Sequence, residues 1–257
     1  MLAPQRPIHY DRYQFKNWEG LDGETIVETP VSLTVNGESW ITFMCTPIEL
    51  EAMAAGFLYN EGVIDGISEL AEVRVCDHGD NVDVWLNHAA AQPKSWRRTS
   101  GCTGGVTAVD LLAKPDVVFS TSSPMLVPEA VGQLVDMLFE SQDLYRETGG
   151  VHTSALSDGE RILLSTEDIG RHNTLDKIAG LCLMRDVWPA TRVLITTGRI
   201  SSEMLQKAAR LHAPILISRT SPSTLSIEMA ERYGITLIGY ARRQRFNVYS
   251  HARRVGL

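Results

Sequence analysis

Residues 167–177 read Glu-Asp-Ile-Gly-Arg-His-Asn-Thr-Leu-Asp-Lys, six ionisable side chains and an amide within eleven positions. They follow the apolar run Ile162-Leu163-Leu164. A strand that empties into a dense polar block at a helix start is where an α/β protein keeps its ligand site. On a helix, Glu167 and Arg171, His172 and Asp176, and Asn173 and Lys177 would stand at i,i+4, the spacing at which side chains pair. Such pairs stabilise a helix by only about 0.3 kcal/mol each, and a lone histidine is more often structural than catalytic. Their clustering at one strand-to-helix corner favours a functional role. As acid and base groups, Glu167, Asp168 and His172 would suit a nucleotide-processing hydrolase.

The second chemical feature is a thiol. Cys102 sits in Gly101-Cys102-Thr103-Gly104-Gly105 with no apolar neighbour before Val106. A thiolate there would be favoured by Arg97 and Arg98 if they fold close. With no base adjacent in sequence, a lone thiol in a glycine-rich loop suits a sulfur carrier better than a fixed nucleophile. Cys45 and Cys76 end apolar strand-like runs and Cys182 lies in an apolar helix stripe, so these three read as core fillers. No pair has the C-x-x-C spacing of a zinc knuckle or a thioredoxin-like site.

Three polar segments, the first running into the 167–177 block, follow apolar runs and open helices: Ser165 to Asp168, Thr196 to Ser202 (with Gly198, Arg199 and Ser201), and Arg219 to Thr224 (with Ser221). Helix N-termini, hydroxyls and guanidinium groups together are what a phosphate or pyrophosphate requires. For any single loop, helix capping is the better account. For three on one sheet edge, an anionic ligand is. The segment Tyr240 to Tyr249 packs three arginines among three aromatics, enough to stack a base and neutralise phosphates. It leaves the last strand and is expected to line the same crevice.

The positioning elements are legible in outline. A polar, aperiodic arm fills about the first twenty residues, and a hairpin spans Thr25 to Cys45 around Asn36-Gly37. Thr46 and Glu49 predict a capping box for a helix that stops near Asn60–Gly62. Strands at 72–77 and 81–87 follow, and 88–105 reads as an exposed loop. A second unit begins with a helix over Pro128–Ser141 and continues with strands Val151–Leu156 and Arg161–Leu164. Then come helix 168–184, strand 193–197, helix 201–212, strand 214–218, helix 222–233 and strand 235–240. That order is similar to the cytidine-deaminase-like three-layer α/β/α fold with a mixed sheet. A smaller β-rich α+β domain precedes it, giving expected domains 1–121 and 122–257. The zinc of such deaminases is not expected, because no His-x-Glu occurs in the chain. Nor is there a Gly-x-Ser-x-Gly elbow, a P-loop or a Gly-x-Gly-x-x-Gly.

At 257 residues with a net charge of −7, 44% hydrophobic and 21% charged, the composition is that of a globular protein. The acidic balance argues against nucleic-acid binding. No apolar run reaches membrane-spanning length and no signal-peptide h-region is read, so a cytoplasmic location is expected.

Several stretches resemble the FdhD/NarQ family of sulfur carriers required for formate dehydrogenase. They include Glu28-Thr29-Pro30-Val31 with Val35-Asn36-Gly37, Gly56 to Gly62, and Thr148-Gly149-Gly150-Val151-His152. Glu167 to Lys177, Gly198-Arg199-Ile200-Ser201-Ser202-Glu203 and Tyr240 to Tyr249 complete the set. The resemblance implies a homodimeric sulfurtransferase in which a cysteine desulfurase loads Cys102 with persulfide sulfur. The sulfur would pass to a Mo-bis-molybdopterin guanine dinucleotide cofactor before its insertion into formate dehydrogenase. It also implies a cofactor seat drawn from Gly149, Gly150, His152, Glu167, Asp168, Arg171, His172, Asn173, Lys177, Gly198, Arg199, Ser201, Ser221 and the run Tyr240, Ala241, Arg242, Arg243, Gln244, Arg245. A guanine nucleotide would mimic the cargo. Many relatives carry Cys-Gly-x-Cys-Gly, where this chain has Cys102-Thr103-Gly104-Gly105 and so a glycine for the second thiol. A non-catalytic, cofactor-binding chaperone is therefore the alternative.

Overall fold

The computed structural model describes residues 2–93, 97–98, 106–107, 118–119 and 126–257. Cys102 and the expected domain boundary at 121–122 lie outside the described residues.

The chain begins with β1 (Gln5–Gln14) and β2 (Asn17–Ile26), an antiparallel ribbon turned by Phe15 and Lys16 at φ 51° and 64°. The expected arm is thus a hairpin. It escaped detection because neither face is buried, so no period-2 hydrophobic signal exists. Cross-strand pairs accompany the ribbon instead, among them Tyr13 with Trp18 at 5.1 Å between ring centroids and His9 with Asp22 at 2.9 Å.

β3 (Thr29–Val35) and β4 (Glu38–Cys45) turn at Asn36-Gly37, both at positive φ as that dipeptide demands. α1 (Leu50–Asn60) follows, then β5 (Leu70–Val75) and β6 (Asn81–Leu86), in a sheet of order β4-β3-β6-β5. The predicted capping box does not form. Glu49 occupies the N-cap position without capping, and Thr46 serves the opposite half of the molecule, as described below. All of α1 but Glu51 is buried, as befits a helix that is apolar nearly all round.

Short strands β7 (Arg97–Arg98) and β8 (Val106–Thr107) pair antiparallel, with Arg98 opposite Val106. Next come α2 (Pro128–Glu140), α3 (Leu144–Thr148), β9 (His152–Ser157), β10 (Ile162–Asp168) and α4 (Arg171–Arg185). Then follow β11 (Val193–Thr196), α5 (Ser202–Arg210), β12 (Ile215–Ser218), α6 (Thr224–Tyr233), β13 (Thr236–Arg242) and β14 (Arg245–Val248). The resulting mixed sheet has the order β10-β9-β11-β12-β13-β14.

Strand alternation sets the layers. Val193, Ile195, Ile215, Ile217 and Ile238 pack with α2, while Leu194, Leu216 and Leu237 pack in the core formed with α1, α4, α5 and α6. A fold of helices on both faces of a mixed sheet results, and its larger core runs unbroken into the four-stranded sheet through α1 and α4. That crossing is unusually close. A Cβ on Gly56 would lie 1.8 Å from Asp176 O, and one on Gly180 would lie 1.8 Å from Ala52 O.

Two sequence expectations are revised here. α4 begins at Arg171 rather than 168, because β10 continues through Asp168. Tyr240 to Tyr249 is not a departing tail but a hairpin, β13 turning at Arg243-Gln244 into β14.

Candidate functional site

β9 runs antiparallel to both β10 and β11, and β11, β12 and β13 run parallel. The C-terminal ends of β10 to β13 therefore share one sheet edge, as the three polar segments predicted. There the structure holds a cavity of about 400 Å³. It is lined by Gly149, Gly150, Val151 and His152, by Thr197, Arg219, Thr220 and Arg242, and by Phe139, Gln142, Tyr145 and Ile169.

Two arginines dominate its charge. Arg242 donates to Arg219 O at 2.7 Å, which tethers the two, and the Arg219 guanidinium lies 4.2 Å above the Phe139 ring. Arg219 Nε has no hydrogen-bond partner among the described residues. Burial, followed by the neighbouring Arg242, lowers the pKa of Arg219. A bound anion would relieve both costs. His152 meets Thr197 Oγ1 at 3.3 Å through Nδ1. Burial first, then Arg171, holds its imidazole below the ordinary value of 6.5 and keeps it neutral. Cations, hydroxyls, glycine peptides and two aromatic rings are the groups that a phosphate-bearing, ring-containing ligand would require.

Of the residues assigned to a ligand from sequence, Gly149, Gly150, His152 and Arg242 line this cavity. Arg199 is exposed near it and contributes to the depressed His152 pKa. Gly198 packs on the stem of buried Arg171, and Ser221 accepts the Ile200 N–H through its carbonyl. Ser201 caps α5, and its hydroxyl is hydrogen-bonded with His172 Nε2 at 3.2 Å. The 240–245 run divides. Ala241 is buried against α2, and Tyr240 is half exposed at φ 52° on a bulge. Arg243 and Gln244 line a separate hollow against α2, where Arg243 pairs with Asp136 at 3.3 Å, and Arg245 is exposed.

The acidic-basic block has a different task from the one expected. Lys177 is fully buried and uses its three donors on Thr46 O, Glu167 O and Asp168 Oδ2, the last at 2.7 Å. Asp168 also accepts the N–H groups of Thr46 and Gly170 and the amide of Asn173, which in turn donates to Met44 O. Ile169 N–H completes the joint by donating to Thr46 Oγ1. These bonds bolt the β4–α1 corner to the end of β10. The expected i,i+4 pairs are replaced accordingly. Asp176 pairs with Lys207 at 2.5 Å rather than with His172, and Glu167 lies in a strand. Burial raises the Asp176 carboxyl pKa even with Lys207 beside it. None of Glu167, Asp168 and His172 lines the cavity, so no acid–base trio faces it.

Cys45 and Cys182 are buried, and burial lifts both thiols to about 12. Cys76 departs from the core-filler expectation. It is half-buried and donates to Asp80 Oδ1 at 3.0 Å. Among the described residues no cluster of His, Cys, Asp and Glu could hold a metal ion, and no helix is long and apolar enough to cross a membrane. Arg219 opens the third of the polar segments expected to meet an anion, after the apolar run Ile215–Ile217, although the family resemblance does not single it out. Tyr145 and Phe139 carry no such signal, because a short helix and the end of another bring them in.

The FdhD/NarQ family model matches residues 26–256. The chain is 35% identical over 248 residues to a sulfur carrier protein FdhD of Staphylococcus aureus strain MRSA252, covering 95% of this chain and 94% of that one. It is 34% identical over 250 residues to the protein of the same name from strain Newman, with the same coverages of 95% and 94%. A solved structure from Desulfotalea psychrophila, described as a formate dehydrogenase accessory protein, superposes with a TM-score of 0.82 at 28% identity. That match covers 98% of this chain and all (100%) of the other.

Proposed function

This chain belongs to the FdhD/NarQ family, and from that membership we propose that it is a sulfur carrier serving formate dehydrogenase. Cys102 takes persulfide sulfur from a cysteine desulfurase. Its thiolate attacks the outer sulfur of the desulfurase persulfide, one S–S bond forms as another breaks, and the desulfurase thiolate leaves. That step is redox-neutral. The cargo is a Mo-bis-molybdopterin guanine dinucleotide, and its molybdenum receives the sulfur before insertion into the dehydrogenase. Delivery as sulfide needs two electrons. With glycine at position 105, a thiol from outside this loop must supply them and end as a disulfide.

The observation that carries this reading is the cavity at the strand ends, with Arg219 and Arg242 for phosphate and Tyr145 and Phe139 for a flat ring. A guanine nucleotide arm of the cargo meets both requirements. The protein acts as a cytoplasmic homodimer in this reading. A chaperone that holds the cargo without carrying sulfur is the second reading, favoured by the missing loop thiol.

Intact mass after incubation with a cysteine desulfurase and cysteine separates the two. One added sulfur on wild type, absent from Cys102→Ala and removed by reductant, is the expected result. No added sulfur on wild type would end the carrier reading and leave the chaperone.

A further inference from the structure

Glu167 does not line the cavity, yet it holds a residue that does. Its Oε2 accepts the N–H groups of Asp143 at 3.0 Å and Leu144 at 2.8 Å, and Oε1 accepts that of Tyr145 at 3.0 Å. These are the first orphan donors of α3, where a carboxylate also complements the helix dipole. No side chain of α3's own N-cap does this, since the Asp143 carboxylate is turned to Arg146. A helix of five residues has no stability of its own. It persists here because β10 supplies the cap. At its far end α3 closes at Gly149, left-handed at φ 66°, whose N–H returns to Tyr145 O at 2.8 Å. Tyr145, Gly149 and Gly150 then line the cavity together with Arg219 and Arg242.

We propose that Glu167 is a positioning residue for the nucleotide seat: it clamps α3 and so sets where Tyr145 and the Gly149-Gly150 peptides meet the ligand. The proposal rests on the cavity being the guanine-nucleotide seat. A carboxylate is required. Glutamine has nearly the same volume but presents one oxygen and an NH2 group, which would face a backbone N–H.

The test is calorimetric titration of the full chain with GDP and, separately, with inorganic pyrophosphate, for wild type and Glu167→Gln. Hydrogen exchange over 143–150 is followed in parallel. Glu167→Gln should bind both probes roughly tenfold more weakly, the loss expected of charge-assisted bonds no longer made. Amides 143–150 should lose protection while those of β11 and β12 keep theirs. By reciprocity, GDP should raise protection of 143–150 in wild type, an arm that needs no variant to fold. Loss of affinity with amides 143–150 as well protected as in wild type would make Glu167 act otherwise than through α3 and overturn the proposal. Equal affinities in variant and wild type, or no change in 143–150 when GDP binds, would overturn it too. Failure of wild type to bind GDP at all would instead defeat the nucleotide reading on which it stands.

Discussion

Lys177 and Asp168 show how a residue's type can be read correctly and its task missed. Both are charged residues in a family-specific block, yet both are fully buried and meet at 2.7 Å. Removing one partner of such a pair strands a charge, whereas the intact pair is close to neutral in stability. Lys177→Met is expected to lose about 3–5 kcal/mol of unfolding free energy in urea titration. A loss under about 1 kcal/mol would mean that the hydrogen bonds Asp168 accepts from Thr46, Gly170 and Asn173 suffice without Lys177. His172 gives a pH signature. Burial first, then Lys207 and Arg171, push its pKa well below the ordinary 6.5. The unfolded chain therefore binds the proton more readily. The stability that the neutral ring contributes is complete above pH 6.5 and drains away as pH falls below it. Relative to His172→Gln, wild type should lose up to about 1.4 kcal/mol per pH unit in that window. Parallel stability curves from pH 7.5 to 5.5 would show that His172 is not held neutral.

At the scale of elements, the α1–α4 crossing is the joint on which both halves depend. Gly→Ala within a helix ordinarily stabilises by about 1 kcal/mol. At Gly180 the new methyl would meet the backbone of Ala52 at 1.8 Å, which no rotamer change can relieve. Overpacking against a backbone costs about 3 kcal/mol or more, so the net effect of Gly180→Ala is a loss, read as a lower urea midpoint. Unchanged or raised stability would mean that the helices can slide apart. Element types were largely legible because strand and helix periods survive in 193–240. The first hairpin was not legible, since a ribbon exposed on both faces has no hydrophobic alternation to read. Nor was α3, whose cap comes from Glu167, 24 positions from Asp143 in the chain.

For the whole molecule, the shared core decides what the two halves can do independently. Core residues of the four-stranded sheet, α1 and α4 are contiguous, and hydrogen bonds from Asp168, Ile169, Asn173 and Lys177 tie the 44–46 corner to the cavity's sheet edge. The four-stranded sheet and the cavity's sheet edge are therefore joined through Asp168, Asn173 and Lys177, which do not line the cavity, and through Ile169, which does.

Local sequence determined what local physics controls: the Asn36-Gly37 turn, the alternation of strands and helices that makes the mixed α/β sheet, and three polar segments on one edge of it. Family-specific residues in the same chain marked it as FdhD/NarQ-like. Only the tertiary structure decided which polar groups are spent inside the fold and which face the cavity. Hydrogen-bond partners such as Glu167 with Tyr145, or Lys177 with Thr46, lie far apart in the chain. A carboxylate's sequence neighbours say nothing of whether water, a ligand or a distant backbone N–H will satisfy it.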